Sequence, residues 1–209
     1  MPPSLPTVFI VDDDPSVCRS LSRVVQLADM EPRTFHSAEA FLQTQAHPSG
    51  QASCMVLDLH MPGINGLEFQ NKLANSPMSC PVIFISGNGD ISVTVKAMKQ
   101  GAVTFLAKPF ENDDLLAAIR EALGKHSAVL DVNSQLQVIQ QRISTLTERE
   151  NEVMAWIITG ALNKQIAANL NIVEKTVKVH RARVLEKMRA SSVAELVRLC
   201  ATVGFAAAK

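Results

Sequence analysis

The chain has 209 residues, and its 20 basic side chains balance its 20 acidic ones. No apolar run approaches the roughly 20 residues that a membrane-spanning helix needs. The four cysteines are too widely spaced for a zinc pattern or a disulfide framework. A chain of this length suits two small domains that each bury a core. We therefore expect a two-domain protein of the reducing cytoplasm, with no membrane segment.

The balanced charge conceals two halves of opposite sign. Residues 1–124 carry 8 basic and 13 acidic side chains, whereas residues 144–209 carry 10 basic and 6 acidic ones. An acidic half suits metal or phosphate chemistry, and a basic half suits a polyanionic partner such as nucleic acid. The two halves are therefore expected to have different functions.

Five short segments rich in β-forming residues alternate with helical patterns in the first half. In chain order they read TVFIV, RTFH, CMVLD, PVIFIS and VTFLA. Strands that alternate with helices predict an α/β domain over residues 1–124, with five parallel strands in a doubly wound sheet and five helices. Ser37 and Asp90 are predicted to cap two of these helices, and Gly101 to end the second.

Polar side chains stand at the carboxyl ends of the predicted strands. Asp12 and Asp13 follow the first strand, Asp58 ends the third, Ser86 ends the fourth and Lys108 follows the fifth. The carboxyl ends of parallel strands share one edge of a sheet, so these side chains should converge in one cleft. Crowded carboxylates can hold Mg²⁺, one carboxylate can attack phosphorus to become an acyl phosphate, and an ammonium can pair with a phosphate oxygen. The set predicts phosphoryl transfer to a carboxylate.

Four motifs in this half, VDDDP, LDLHMPGINGLEF, ISGNGD and FLAKPF, resemble the receiver domain of two-component response regulators. The resemblance implies a flavodoxin-like fold in which Asp58 accepts a phosphoryl group from a phosphohistidine of a sensor histidine kinase. It also implies that Asp13, Asp58 and the backbone carbonyl of His60 ligate Mg²⁺, with Asp12 acting through water or from behind the direct ligands. Asp14 would be only a solvated turn residue.

The same resemblance makes Ser86 and Phe105 a switch pair beside the phosphorylated carboxylate. The Ser86 hydroxyl would move toward the phosphate and the Phe105 ring would turn inward, while Lys108 pairs with a phosphate oxygen. From composition alone, Phe105 is better explained as an ordinary core residue. The Lys108–Pro109 peptide bond is expected to be cis. His60 departs from the family pattern, because many relatives carry Arg, Lys or Asn at this position.

Helix should dominate after Pro109, since all ten prolines lie at or before it and only three glycines follow. Apolar residues then recur at spacings of three and four, at Val129, Val132, Leu136, Ile139, Ile143 and Leu146. This seam fits a short two-chain coiled coil, and it fits equally well a single helix packed on its own domain. Residues 125–143 are therefore predicted to form a helical linker.

Two short helices follow one another closely in the last segment, residues 144–209. They are predicted over about 163–170 and 174–188, with a tight turn near Asn171 between them. Two helices joined by so short a turn predict a helix-turn-helix.

Capping signals bracket this pair of helices. Thr147 and Glu150 fit a capping box at the start of the segment, and Ser192 with Glu195 fits another before a final helix. Val173 precedes the second helix of the pair and has no side-chain acceptor, which should weaken the N-cap of that helix by about 1 kcal/mol unless Asn171 or a phosphate compensates.

The helix over 174–188 is strongly basic, with six Lys or Arg against two Glu in the sixteen residues 174–189. A solvated basic face would be ordinary on another helix, but on the second helix of a helix-turn-helix it favours DNA binding. Val177, Val184 and Met188 share one face and should pack inward.

Residues from about 146 to 202 resemble the LuxR-type effector domain of the NarL/FixJ subfamily of response regulators. The resemblance implies that the basic helix enters the major groove of DNA and that the last helix dimerises. Lys178, Val179 and Ala182 would face the bases. The full set of expected DNA-binding residues is Lys175, Lys178, Val179, Arg181, Ala182 and Arg183.

We therefore expect a transcriptional regulator, not a turnover enzyme, in which phosphorylation of Asp58 controls dimerisation and promoter binding. The expected cofactor is Mg²⁺, and the expected partners are a sensor histidine kinase, promoter DNA and a second copy of the chain, with RNA polymerase as a further candidate. One rival takes Asp12 and Asp14 as the D-x-D motif of a haloacid-dehalogenase-type phosphatase, which leaves Asp58 and the basic half unexplained. Another is a receiver that has lost phosphorylation and dimerises constitutively, which the complete set of site residues argues against.

Overall fold

The computed structural model describes residues 5–44, 50–74, 76, 79–87 and 91–208. Contacts divide the chain into two units, with the boundary between Leu130 and Asp131. The strands of the first unit are β1 (Thr7–Val11), β2 (Glu31–Phe35), β3 (Ser53–Asp58), β4 (Val82–Ser86) and β5 (Thr104–Ala107). The helices are α1 (Pro15–Leu27), α2 (Ala38–Leu42), α3 (Gly66–Ala74), α4 (Ile91–Lys99), α5 (Asn112–Ser144), α6 (Glu148–Ile157), α7 (Asn163–Leu170), α8 (Glu174–Met188) and α9 (Val193–Thr202). No helix in these described residues is long and apolar enough to cross a membrane.

The five strands form one parallel sheet in the order β2-β1-β3-β4-β5, which confirms the predicted doubly wound architecture. Successive residues of a strand face opposite sides of a sheet, so β1 directs Val8 and Ile10 to one side and Phe9 and Val11 to the other. The first side packs against α1 and α5, and the second packs against α2, α3 and α4. Burial of both faces explains why the central strands are continuously apolar.

The second strand differs from its prediction. It begins at Glu31 and ends at Phe35, so it starts two residues before RTFH and includes Pro32. Proline has no N–H to donate and is therefore confined to sheet edges, and β2 is an edge strand paired only with β1 among the described strands.

Two of the predicted helix signals in this unit are present. The Ser37 hydroxyl accepts a hydrogen bond from the Ala40 N–H at 3.1 Å and caps α2. Gly101 follows α4 with a φ of +89°, a left-handed conformation that glycine adopts without strain. The predicted cap at Asp90 lies outside the described residues.

The predicted helical linker, residues 125–143, lies within α5. The seam behaves differently along its length. Ile139 and Leu146 are buried in the core of the second unit and Ile143 packs against it, which supports the single-helix alternative for this part. Val129 and Val132 are each 55% exposed.

The second unit confirms the helix-turn-helix. Helices α7 and α8 are separated by three residues, of which Asn171 has a left-handed φ of +51°. The Thr147 capping box is complete, since the Thr147 hydroxyl accepts from the Glu150 N–H and the Glu150 carboxylate accepts from the Thr147 N–H. Val173 provides no side-chain cap for α8, as predicted.

The second predicted capping box is only half correct. The Ser192 hydroxyl does cap α9, accepting from the Glu195 N–H at 3.2 Å. The Glu195 carboxylate, however, accepts from the backbone N–H and the hydroxyl of Ser191 at 2.7 and 2.5 Å, not from the Ser192 N–H.

Candidate functional site

Two carboxylates and one ammonium meet at the carboxyl edge of the sheet. Asp12 follows β1, Asp58 ends β3 and Lys108 follows β5. The Lys108 Nζ lies 2.8 Å from Asp12 Oδ2 and 2.8 Å from Asp58 Oδ1. Asp12 and Asp58 are only 1% and 6% exposed. The sheet topology therefore brings together three side chains that are up to 96 positions apart in sequence.

The surrounding backbone stabilises both carboxylates. The Asp14 N–H donates to Asp12 Oδ1 and the His60 N–H donates to Asp58 Oδ2, each at 2.8 Å. Burial alone would lower the pKa of the Lys108 ammonium, but its hydrogen bonds to Asp12 and Asp58 outweigh burial and raise that pKa. Lys108 is therefore charged at neutral pH, and its single positive charge faces two buried carboxylates.

The surplus negative charge and the oxygen donors fit Mg²⁺. Asp13 lies next to Asp12 and is exposed to solvent. Magnesium keeps several waters and needs only one or two protein carboxylates, so Asp13, Asp58 and the His60 carbonyl form a sufficient donor set. Within the described part of the chain, no group of three or more His, Cys, Asp or Glu side chains is arranged to hold a metal ion. The fit therefore rests on donor chemistry and charge, and not on a preformed cage.

The two predicted switch residues occupy neighbouring strands. Ser86 is completely buried at the end of β4, and its Oγ lies 3.1 Å from the Nδ1 of His60. Phe105 lies on β5 opposite Phe84 and packs, half-buried, against the core below α3 and α4. The Lys108–Pro109 peptide bond is cis, as expected.

Asp14, the third acid of the opening cluster, is a helix cap. Its carboxylate accepts a hydrogen bond from the Ser16 N–H at 2.7 Å at the start of α1, and this interaction with Ser16 lowers the Asp14 pKa. The cap explains Asp14 without a role in chemistry and weighs against the D-x-D phosphatase alternative.

Gly66 allows the loop after Asp58 to pack tightly, which sequence reasoning did not identify. A Cβ at this position would lie 2.8 Å from the Asp58 carbonyl oxygen and 3.0 Å from the Phe84 ring. The Gly66 N–H also donates to the Leu59 carbonyl at 3.1 Å. The only signal in the sequence is that Gly66 is the second of two glycines in the quoted motif LDLHMPGINGLEF, which does not reveal what the backbone approaches.

The basic helix α8 presents its predicted outer face to solvent. Val177, Val184 and Met188 are completely buried, as predicted. Lys175, Lys178, Val179, Ala182 and Arg183 are exposed. Arg181 differs from the rest of the predicted DNA-binding set, because it is half-buried and its Nη1 lies 3.5 Å from the Ala161 carbonyl oxygen.

Lys187 is one of the six cations of the basic helix, but it stabilises the structure of the second unit itself. Its Nζ lies 2.6 Å from the Glu150 carboxylate and 3.0 Å from the Thr145 carbonyl oxygen. Glu150 is 2% exposed, and the hydrogen bond from Lys187 is the main cause of its lowered pKa. The contacts of Lys187 therefore connect the C-terminal end of α8 to the N-terminal end of α6, where Glu150 also takes part in the capping box.

Family models match both units. Residues 8–120 match the response regulator receiver domain, and residues 144–200 match the luxR family of bacterial regulatory proteins. Nodulation protein W of Bradyrhizobium diazoefficiens is 42% identical over 200 residues, which cover 96% of this chain and 87% of that protein. The transcriptional regulatory protein FixJ of the same organism is 37% identical over 197 residues, which cover 94% and 95% of the two chains.

A solved structure gives the same assignment. The low-resolution structure of the response regulator StyR has a TM-score of 0.85 and 42% identity, over 95% of this chain and 99% of that one. Receiver domains generally bind Mg²⁺ where they are phosphorylated, and the luxR-type domain binds DNA. The chain belongs to the NarL/FixJ subfamily of two-component response regulators, which are phosphorylation-dependent regulators of transcription.

Proposed function

We propose that Asp58 is the phosphoacceptor of this response regulator and that its phosphorylation controls dimerisation and DNA binding. The observation that carries the proposal is the contact of Lys108 with both Asp12 and Asp58 at the carboxyl edge of the sheet. In this arrangement the Lys108 ammonium lies within hydrogen-bonding distance of the nucleophilic carboxylate of Asp58 and of the carboxylate of Asp12. The two carboxylates carry one more negative charge than Lys108 neutralises.

Phosphoryl transfer needs little chemistry beyond positioning and charge. An oxygen of Asp58 attacks the phosphorus of a kinase phosphohistidine, the P–N bond breaks and the imidazole leaves. Lys108 pairs with a phosphoryl oxygen. Asp13, Asp58 and the His60 carbonyl would hold Mg²⁺, with Asp12 acting through water. The bound cation would offset the charge on the phosphoryl group.

The acyl phosphate adds close to two negative charges beside carboxylates that are already buried. In our proposal the Ser86 hydroxyl moves to a phosphoryl oxygen and Phe105 turns inward behind it. The change is transmitted to the face of α4 and α5, where a second copy docks. The exposed apolar side chains of α4, Ile91, Val95 and Met98, support this choice of face.

The dimer would present two copies of α8 to paired half-sites of promoter DNA. Lys178, Val179 and Ala182 would face base edges, and Lys175 and Arg183 would contact phosphates. Arg181 would contribute to DNA contact only if it leaves the Ala161 carbonyl. Joining two weak contacts raises the effective concentration of the second, so a modest change in dimerisation produces a large change in DNA affinity. RNA polymerase is a further candidate partner once the dimer is bound.

The test is intact mass and sedimentation after incubation with Mg²⁺ and acetyl phosphate. We expect the wild-type chain to gain one phosphoryl mass and to dimerise, and the matched Asp58→Asn variant to do neither. A wild-type chain that gains no mass, or an Asp58→Asn chain that gains the same mass at the same rate, would contradict the assignment.

A further inference from the structure

We propose that His60 is a positioning residue that holds the Ser86 hydroxyl away from the phosphoryl group in the unphosphorylated protein. The inference rests on the proposed function, because it concerns how much free energy the switch at Asp58 requires. This interaction between the His60 ring and the Ser86 hydroxyl, the His60 latch, opposes the movement of Ser86 toward the phosphoryl group.

His60 connects the phosphoacceptor to the switch hydroxyl. Its backbone N–H donates to Asp58 Oδ2 at 2.8 Å, which fixes the main chain of this residue. Its ring Nδ1 lies 3.1 Å from Ser86 Oγ. His60 is therefore in contact with the Asp58 carboxylate and with the Ser86 hydroxyl. In our proposal these two groups move closer together when Asp58 is phosphorylated.

The two ends of the latch differ in exposure. Ser86 is completely buried, whereas His60 is exposed. The exposed Nε2 can carry the ring proton and donate it to water, and in our proposal His60 has this tautomer, with Nδ1 as an acceptor. In this tautomer the Ser86 hydroxyl donates its proton to His60.

A hydroxyl has only one proton to donate. Phosphoryl oxygens are acceptors, so the Ser86 hydroxyl can bond the phosphoryl group only after it stops donating to His60. The latch therefore stabilises the inactive position of Ser86 and reduces the affinity of the site for a phosphoryl group. A net hydrogen bond of ordinary strength corresponds to roughly a threefold to tenfold change in an equilibrium constant.

Three substitutions separate the latch from other roles of the imidazole. His60→Ala removes the acceptor. His60→Asn places an amide oxygen close to the position of Nδ1 and should restore the contact. His60→Gln keeps a polar amide but places it near the position of Nε2, out of reach of Ser86.

The probe is the beryllium trifluoride anion with Mg²⁺, a mimic of a phosphoryl group on a carboxylate. Its apparent dissociation constant is measured on the full-length chain by titration, followed through backbone amide NMR signals. We expect the constant for His60→Ala and His60→Gln to fall about threefold to tenfold below the wild-type value, and His60→Asn to match the wild type. A substitution that merely loosened the loop would weaken binding, so a gain in affinity is specific to the latch.

Unchanged or weaker binding by His60→Ala would overturn the proposal, as would a His60→Asn variant that behaves like His60→Ala. Phosphorylation of the wild-type chain by acetyl phosphate is measured in parallel. A wild type that is phosphorylated while the variants show no gain in affinity would refute the latch and leave the proposed function intact. A wild type that is not phosphorylated would refute the proposed function itself.

Discussion

Both units bury carboxylates against a lysine, and the two arrangements differ in charge balance. In the receiver unit, Lys108 lies 2.8 Å from each of two buried carboxylates, Asp12 and Asp58. In the DNA-binding unit, Lys187 lies 2.6 Å from the single carboxylate of Glu150. The first arrangement keeps a surplus negative charge, and the second is neutral.

We expect this difference in charge balance to distinguish the proposed site of phosphoryl transfer from a structural ion pair. An uncompensated buried charge is unfavourable, so it persists where a cation or a reacting group uses it. A balanced pair leaves nothing for a ligand to neutralise, and Glu150 also completes a helix cap with Thr147. We therefore expect two lysine–carboxylate contacts of similar length to have different functions.

The largest expected effect is a difference in phosphorylation rate between variants of Lys108 and Lys187. Lys108→Met should slow phosphoryl incorporation from acetyl phosphate about a hundredfold, because a preorganised charge beside the transferred group is lost. The matched Lys187→Met variant should react at nearly the wild-type rate. Intact mass against time measures both rates, and amide NMR confirms that each variant is folded. Similar rates for the two variants would contradict the comparison.

The stability of the DNA-binding unit should show the reverse order. Lys187→Met should destabilise this unit by about 2 kcal/mol, because Glu150 remains buried without its partner; the partial exposure of Lys187 keeps the loss below that of a fully buried pair. Urea unfolding followed by Trp156 fluorescence measures the free energy of unfolding of this unit, because Trp156 is the only tryptophan in the chain.

A double-mutant cycle provides the control for this prediction. Adding Glu150→Gln to Lys187→Met should recover part of the lost stability, because the buried charge is removed together with its partner. Strictly additive losses would mean that the pair contributes no coupling.

DNA binding should separate Lys187 from the exposed cations of the same helix. The logarithm of DNA affinity falls linearly with the logarithm of salt concentration, and each lost phosphate contact reduces the magnitude of this negative slope by about 0.9. Lys175→Ala, which removes a proposed phosphate contact, should reduce the magnitude of this slope by about 0.9 on random-sequence duplex DNA, and Lys187→Ala should leave it unchanged. Fluorescence anisotropy at several salt concentrations measures the slope. An equal reduction by both variants would show that Lys187 leaves Glu150 to bind DNA.

The smallest expected effect is a difference in acid sensitivity between the two units. Burial lowers the pKa of His126 below its ordinary 6.5, and the neutral ring accepts the Ser53 N–H at 2.9 Å. The unfolded chain therefore binds this proton more tightly, and the receiver unit should lose stability as pH falls below about 6.5. The Ser53 hydrogen bond contributes about 1 kcal/mol.

In the DNA-binding unit the corresponding group is Glu150, whose pKa is lowered from 4.5 mainly by Lys187. Its contribution is complete above pH 4.5 and is lost as pH falls through the lowered value. Amide exchange at Ser53 reports the receiver unit, and Trp156 fluorescence reports the other. A His126→Gln variant should not lose receiver-unit stability near pH 6. If the variant still loses stability there, the role given to His126 is contradicted.

Much of the fold and of the candidate site could be predicted from the sequence, because the signals are local or depend on topology alone. Alternating apolar segments predicted five parallel strands, and the carboxyl ends of such strands must share one edge. The shared edge therefore predicts that Asp12, Asp58 and Lys108 lie close together, as they do. The capping box at Thr147 and the turn at Asn171 were likewise predictable from neighbouring residues.

The sequence by itself therefore determined which elements form, which edge of the sheet carries the proposed site and which helix is basic. Only the tertiary structure decided the long-range partners of groups such as Lys187 and His60. Lys187 resembles Lys178 in sequence, but Lys187 pairs with Glu150, 37 positions away, whereas Lys178 is exposed and lies 3.7 Å from Glu174 on the same helix. The His60 contact with Ser86 and the close packing at Gly66 are of the same kind. Helix and strand signals depend on spacing along the chain, whereas ion pairs, hydrogen bonds and close approaches depend on distances between distant segments.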